Sequence, residues 1–241
     1  MASKVLLSSG GMDSYLLACE PELAGAKHVF VDIGQAYIDK ELRSAANVAG
    51  MAGAELVYMQ GARFARYEHK PTGIIPFRNA ELLLCAAQHG DEIYFGVIGD
   101  EVNSDKSERF CDAMEAVLCI SHKRQYWTDG RGFAIHTPFR GMSKTELVKR
   151  YLERDGDMHK LTQTVSCYDG GDMHCGQCSS CFKRWVALTT ATGQDAASLQ
   201  PWAKHPGYWH TREFWAEKLD RPEYERRRFT ETMHALDIAR L

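Results

Sequence analysis

Residues 4–14 read Lys4-Val5-Leu6-Leu7-Ser8-Ser9-Gly10-Gly11-Met12-Asp13-Ser14. A short apolar run enters a glycine pair and leaves it into a helix-opening Met-Asp-Ser. A buried strand followed by a tight turn and a helix is the opening of a βα unit. Free backbone N–H groups at a helix start, beside glycines without side chains, suit a bound anion such as phosphate. The run is not a Walker A loop, because no Gly-Lys-Ser/Thr follows, and it lacks the GxGxxG spacing of dinucleotide folds. On local grounds alone it is equally a strand-to-helix turn capped by Ser or Asp.

Outward from this turn the alternation continues. Near-continuous apolar runs at 4–7, 28–32, 55–59 and 93–98 predict strands buried on both faces. Helical spacing of apolar residues at 13–20, 39–51 and 79–89 separates them. The expected fold is an α/β, doubly wound parallel sheet of Rossmann-like type, with a small C-terminal zinc-binding segment. Residues 61–76 are expected to form a loop over the sheet, and 133–136 a further short strand. Ser143, with Glu146 three residues on, predicts a capping box opening a helix over 143–154. The tail from about 193 carries Trp202, Trp209 and Trp215, expected to pack on the domain, and a polar helix-like stretch at 223–241. The expected organisation is 1–160 as the nucleotide-binding α/β domain, 161–192 as the metal segment with its following helix, and 193–241 as a helical tail.

The 241 residues carry 29 Lys+Arg against 32 Asp+Glu, a formal charge of −3, and 44 % are hydrophobic. Such composition is that of a globular chain and excludes fibrous or disordered classes. The acidic balance gives no electrostatic footprint for broad nucleic-acid binding and favours a small-molecule substrate. No apolar run reaches the ~20 residues that span a bilayer, and the N-terminus lacks a secretory pattern. No membrane association is expected.

Eight cysteines divide by position. Cys19, Cys85, Cys111 and Cys119 are scattered and are expected to be core residues. Cys167, Cys175, Cys178 and Cys181 crowd into C-x7-C-x2-C-x2-C. Without a secretion signal, crowded cysteines point to metal rather than disulfides, and hence to a reducing, cytoplasmic compartment. Four thiolates close a tetrahedral Zn2+ shell, which is a structural role. An iron–sulfur cluster is the rival. His174 is a substitute ligand that the fourth Cys makes unnecessary.

The run S-G-G-x-D-S resembles the pyrophosphate loop of N-type ATP pyrophosphatases. Together with Asp32-Ile33-Gly34-Gln35, Pro76-Phe77-Arg78-Asn79, Thr137-Pro138, Ser143-Lys144-Thr145-Glu146 and the segment from Ser166 to Cys181, it resembles the 7-cyano-7-deazaguanine (preQ0) synthase family over residues 4–192. The resemblance implies an adenine nucleotide alpha hydrolase-like fold and an ATP-dependent carbon–nitrogen ligase of queuosine-type biosynthesis. Its substrates would be 7-carboxy-7-deazaguanine, ammonia and ATP with Mg2+. The carboxylate would be adenylated, converted to an amide by ammonia, and dehydrated with a second ATP.

Carried over by motif position, Ser8, Ser9, Gly10, Gly11, Met12, Asp13 and Ser14 would hold the phosphates, and Asp32 and Gly34 the adenosine. Lys144, Arg78 and Asp13 are the candidate catalytic residues; Asn79, Asp105 and Ser107 the candidate substrate residues. The family also suggests a homodimer. One departure stands out: Asp105-Lys106-Ser107-Glu108-Arg109-Phe110-Cys111-Asp112 keeps the family's D-x-S but not its following Gly-Tyr-Pro. The alternatives are an enzyme that stops at the 7-amido product, or one acting on another deazapurine. Outside that class stand a tRNA thiolase and a non-catalytic zinc-stabilised nucleotide-binding module.

Overall fold

The computed structural model describes residues 3–69, 74–99, 104–169, 171–209 and 223–241. Five strands, β1 (Lys4–Leu7), β2 (Lys27–Asp32), β3 (Leu56–Gln60), β4 (Glu92–Tyr94) and β5 (Ala134–His136), form one sheet in the order β3-β2-β1-β4-β5. Every pairing is parallel, with Val5 opposite Lys27 and Ile93, and Val29 opposite Val57. The expected doubly wound sheet is therefore present.

The helices are α1 (Met12–Ala18), α2 (Ile38–Ala52), α3 (Arg78–Ala86), α4 (Glu108–Ser121), α5 (Lys144–Glu153), α6 (Met158–Thr162), α7 (Ser179–Thr192) and α8 (Glu223–Ile238). Alternation along β1 sends Leu6 to one core, with Met12, Val48, Leu147 and Trp185, and Val5 and Leu7 to the other, with Leu83, Ile93, Cys111 and Leu118. Period-2 side-chain placement makes this two-sided burial possible. Trp185 is wholly buried, and its indole N–H donates to Asp195 Oδ1 at 2.8 Å, so its polar atom is satisfied.

Some expectations need correction. The strand expected over 93–98 ends at Tyr94. Val97 and Ile98 remain buried without a ladder, because an apolar run reports burial rather than pairing. Residues 105–112, compared only with the family's D-x-S motif, lead into a 14-residue helix over Glu108–Ser121 whose N-cap, Ser107, accepts from Phe110 N–H at 3.1 Å. The expected loop at 61–76 contains a 3-10 turn, Phe64–Tyr67, and its residues 70–73 lie outside the described ones. Ser143 forms the expected capping box with Glu146 at the start of α5. Trp202 packs on the core as expected, whereas Trp215 lies outside the described residues. Cys85 and Cys111 are buried, Cys119 is half-buried, and Cys19 is exposed rather than in the core. No helix among the described residues is long and apolar enough to cross a membrane.

Candidate active site and metal centre

Strand order reverses between β1 and β4, and at such a switch point the carboxyl ends of the strands open a crevice. A cleft of about 240 Å³ lies there. Ser8, Ser9, Gly11, Met12, Asp13 and Ser14 line it, so the loop read from the sequence forms its floor. Gly10 lies beneath. Its φ is +72°, and a Cβ would run into the Ala45 backbone nitrogen and come within 2.6 Å of the Ser44 carbonyl carbon. Only glycine fits both the left-handed backbone and the close approach to α2.

The loop is fixed from below. Ser44 Oγ donates to the Gly10 carbonyl at 2.7 Å, and Val165 N–H donates to Ser44 Oγ at 3.0 Å. Ser9 N–H donates to Ser14 Oγ at 3.2 Å. Gly11 precedes α1 and offers no side-chain cap; the first helical N–H, of Met12, reaches Ser166 Oγ at 3.5 Å, and both residues line the cleft. Ser8 Oγ is buried at the same place with no hydrogen-bond partner among the described residues. A buried hydroxyl without a partner is costly unless a ligand or water completes it.

The facing wall brings distant residues in. Lys144, first in α5, places Nζ 2.6 Å from both oxygens of Asp13. Arg78 and Asn79 open α3 and line the cleft as well. Phe77, just before them, holds φ +61°. That conformation costs a non-glycine residue about 1–2 kcal/mol and turns the chain so that the following arginine opens α3 at the cleft. Asn79 is buried, and its Nδ2 donates to the Asp105 carbonyl at 3.4 Å.

Other sequence candidates are placed differently. Asp32 accepts from Gly34 N–H at 2.7 Å and from the Tyr58 hydroxyl at 2.9 Å, and lies 3.7 Å from Arg63. It shapes the turn after β2, whose Ile33 and Gln35 face the cleft instead. Ser107 caps α4, and between it and Asp105 it is Lys106 that lines the cleft. Sequence reasoning missed Tyr37 and Glu41, which form one side wall with Gln35 of the Asp32–Gln35 motif. Glu41 Oε2 accepts from Gln35 Nε2 at 2.9 Å. Burial pushes the Glu41 carboxyl up to about 7, against the lowering influence of Gln35 and Arg78. Its signal was faint, a single Glu one turn into a helix after the second strand.

Cys167, Cys175, Cys178 and Cys181 bring their sulfurs within 4.8 Å of one another. The Cys175 and Cys181 sulfurs are 3.9 Å apart, near the ~3.8 Å edge of a tetrahedron with Zn–S bonds of about 2.3 Å. Backbone N–H groups of Asp169 and Cys175 donate to Cys167 Sγ at 3.4 and 3.3 Å, and those of Gln177 and Cys181 to Cys175 and Cys178. Such donors stabilise thiolate charge. Contacts with Cys178 and Cys181 push the Cys167 thiol far down, while contacts with Cys167 raise both of its neighbours. Four crowded thiols cannot all ionise unaided, and a divalent cation resolves that conflict. The donor set fits a metal such as zinc. His174 does not join it: burial lowers its pKa to about 3, and its Nε2 accepts from Ser166 N–H at 3.2 Å.

The two sites share a strut. Val165 N–H also donates to the Gly10 carbonyl at 3.2 Å, two residues before the first cysteine. Arg184 on α7 is wholly buried and donates to Thr164 Oγ1, the Leu161 carbonyl and Gln200 Oε1 at 2.8 to 2.9 Å. Sequence gave no sign of this residue, since an arginine in a helix ordinarily faces water.

A family profile described as "Queuosine biosynthesis protein QueC" matches residues 58–192. Similar curated proteins include a 7-cyano-7-deazaguanine synthase of Rhizobium rhizogenes, 29 % identical over 86 % of this chain and 94 % of that protein. One of Methanospirillum hungatei is 30 % identical over 79 % and 96 %. Among solved structures, a predicted subunit of tRNA methyltransferase from Methanocaldococcus jannaschii is similar at 17 % identity and a TM-score of 0.43, over 66 % of this chain and 92 % of that one.

Proposed function

The chain belongs to the queuosine biosynthesis protein QueC family, and from that premise we propose that it makes 7-cyano-7-deazaguanine from 7-carboxy-7-deazaguanine, ammonia and ATP. The observation that carries the reading is convergence. An uncapped glycine loop, Lys144, Asp13 and Arg78 meet at one switch-point cleft.

The chemistry follows from what these groups offer. A carboxylate is a poor electrophile, so its oxygen attacks the α-phosphorus of ATP and pyrophosphate leaves. The N–H groups at the start of α1, with Ser9 and Ser14, hold the β- and γ-phosphates. Lys144 and Arg78 stabilise the charge that builds at the α-phosphate and the leaving group. Asp13 positions the Lys144 ammonium and supplies a carboxylate for Mg2+, which screens the phosphates when bound. Ammonia displaces AMP from the acyl adenylate to give the amide and a proton. The amide oxygen attacks the α-phosphorus of a second ATP, pyrophosphate leaves again, and loss of AMP and both N–H protons of the amide forms the nitrile.

Zinc held by the four cysteines is structural in this reading, since four sulfurs leave no open position. The same reading carries the organisation into residues 1–160, 161–192 and 193–241, a cytoplasmic setting and a homodimer. Asn79, Asp105 and Ser107 remain its substrate residues, Asp105 and Ser107 through their places beside Lys106.

A second reading has support in one observation. Ser107 caps α4 where the family motif continues as Gly-Tyr-Pro, and an altered acceptor loop fits release of the 7-amido product. Incubation of the purified protein with ATP, Mg2+, ammonium and 7-carboxy-7-deazaguanine, read by mass, separates the two. The nitrile with two pyrophosphates per molecule is expected. The amide with one establishes the second reading, and no deazapurine product overturns both.

A further inference from the structure

Beside the phosphate floor the cleft has a wall of different character. Tyr37 and Tyr168 face each other with ring centroids 5.4 Å apart, one from the turn before α2 and the other from the cysteine segment. Both line the cleft, together with Gln35 and Glu41. Gln35 is buried and oriented at both ends: its Oε1 accepts from Ile33 N–H at 3.0 Å, and its Nε2 donates to Glu41 Oε2 at 2.9 Å. Glu41 is thus a held carboxylate, aimed by a second residue that is itself pinned to the backbone.

Among the described residues no cation pairs with it directly. Lys40, its neighbour in sequence, turns away to donate to the Asp169 and Met173 carbonyls at 3.0 and 2.9 Å. Arg78 acts on it electrostatically from α3; Tyr37 and Tyr168 are further titratable groups of this wall, and Glu68 acts on Tyr37 from outside it. A desolvated carboxylate in such a place has strong demand for N–H donors. An aromatic pair next to it offers a planar ring a surface to stack on.

We propose that Glu41 reads the N1–H and 2-amino edge of the deazaguanine ring, with Tyr37 and Tyr168 as the stacking wall beside it. The assignment rests on the function proposed above and names the part of the cleft that selects its substrate. The guanine edge presents two adjacent donors, which match two carboxylate oxygens. Adenine presents an acceptor at N1, and its lone pair faces a carboxylate oxygen unfavourably. Glu41 therefore separates the two ring systems that must occupy one cleft, sending the ATP base elsewhere. Sites built to receive a donor reject analogues lacking it by large factors, because the buried acceptor is left unpaired.

Steady-state kinetics of Glu41→Gln and Glu41→Asp test this. For Glu41→Gln, KM for 7-carboxy-7-deazaguanine rises about 100-fold or more while KM for ATP stays within about threefold. The analogue lacking the 2-amino group is used poorly by the unsubstituted enzyme, and Glu41→Gln loses most of that discrimination. Glu41→Asp, which keeps the charge, restores part of it. An unchanged KM with a lowered kcat and a shifted pH profile would make Glu41 a proton acceptor instead and overturn the assignment. So would unchanged discrimination. If the unsubstituted protein binds ATP but neither binds nor converts 7-carboxy-7-deazaguanine, the functional reading itself falls and takes the assignment with it. Conversion by the unsubstituted protein with an unaffected Glu41→Gln variant overturns the assignment alone.

Discussion

Lys144 Nζ stands 2.6 Å from both carboxylate oxygens of Asp13, although 131 residues separate the two in the chain. The pair joins the first turn of α1 to the first turn of α5 across the mouth of the cleft. Both side chains keep some solvent contact, at 14 % and 24 % exposure. An ion pair of that kind contributes little to stability, about 0–1 kcal/mol. In the proposed reaction it would place a cation where phosphate charge develops.

Lys144→Met is accordingly expected to lower kcat/KM by about 100- to 1,000-fold, the cost of removing one preorganised charge. The melting temperature should move by no more than a few degrees. Turnover within threefold of the unsubstituted enzyme would remove Lys144 from the chemistry.

The metal centre predicts about one zinc per chain by elemental analysis. Cys178→Ser should lose that metal and destabilise the protein by several kcal/mol, since binding and folding energy are shared at such sites. Because Val165 ties the segment to the Gly10 carbonyl, ATP affinity should weaken as well. A metal-free variant that melts and binds ATP normally would show the strut to be idle.

Gly10→Ala tests the loop. The substitution forces φ +72° on alanine and places a methyl group against Ser44 and Ala45. Strain of about 1–3 kcal/mol plus the clash is expected. Denaturant unfolding should show that loss, and ATP binding should fail first. Gly25, with φ +78° and open space around it, provides the control: its alanine variant should cost about 1–2 kcal/mol and leave ATP binding intact.

His28 predicts a pH dependence. It is 1 % exposed, its Nδ1 has no hydrogen-bond partner, and burial lowers its pKa from 6.5 to about 4. Between those values the unfolded chain binds a proton that the native state excludes. The stability contribution is complete above 6.5, is lost as pH falls, and levels off near 4. The full loss is of order 3 kcal/mol. Urea titrations at pH 7 and 4.5 should show it, and His28→Leu should flatten that part of the profile. An unchanged slope in the variant would assign the acid sensitivity to other groups.

The glycine turn within 4–14 and the cysteine cluster within 167–181 were legible, because each is a local device. A glycine turn between strand and helix works through its own backbone, and C-x2-C spacing lets neighbouring thiolates face one metal. The capping box at Ser143 is equally local. The Glu41 wall was not legible. A lone Glu in the first turn of a helix reads as a favourable charge at a helix start, and nothing nearby in sequence says that Gln35 aims it into a cleft. Arg184 was hidden for the same reason: its partners Thr164 and Gln200 come from separate segments. The helix at 108–121 opens at the end of the D-x-S stretch, where Ser107 serves both as a motif residue and as the N-cap, so the motif alone does not distinguish a loop from a helix start.

The sequence by itself determined the parallel α/β architecture, the tight glycine turn from β1 into α1 and the gathering of four cysteines in one short segment. Hydrophobic period, glycine placement and ligand spacing act over a few residues and survive without knowledge of the rest. Tertiary structure alone decided which side chains share the cleft. It brought Lys144 to Asp13, turned Asp32 toward Tyr58 and Arg63, and set Tyr37, Tyr168 and Glu41 around one space. Those relations depend on strand order and helix packing, which sum many weak contacts over the whole chain and leave no mark at any single position.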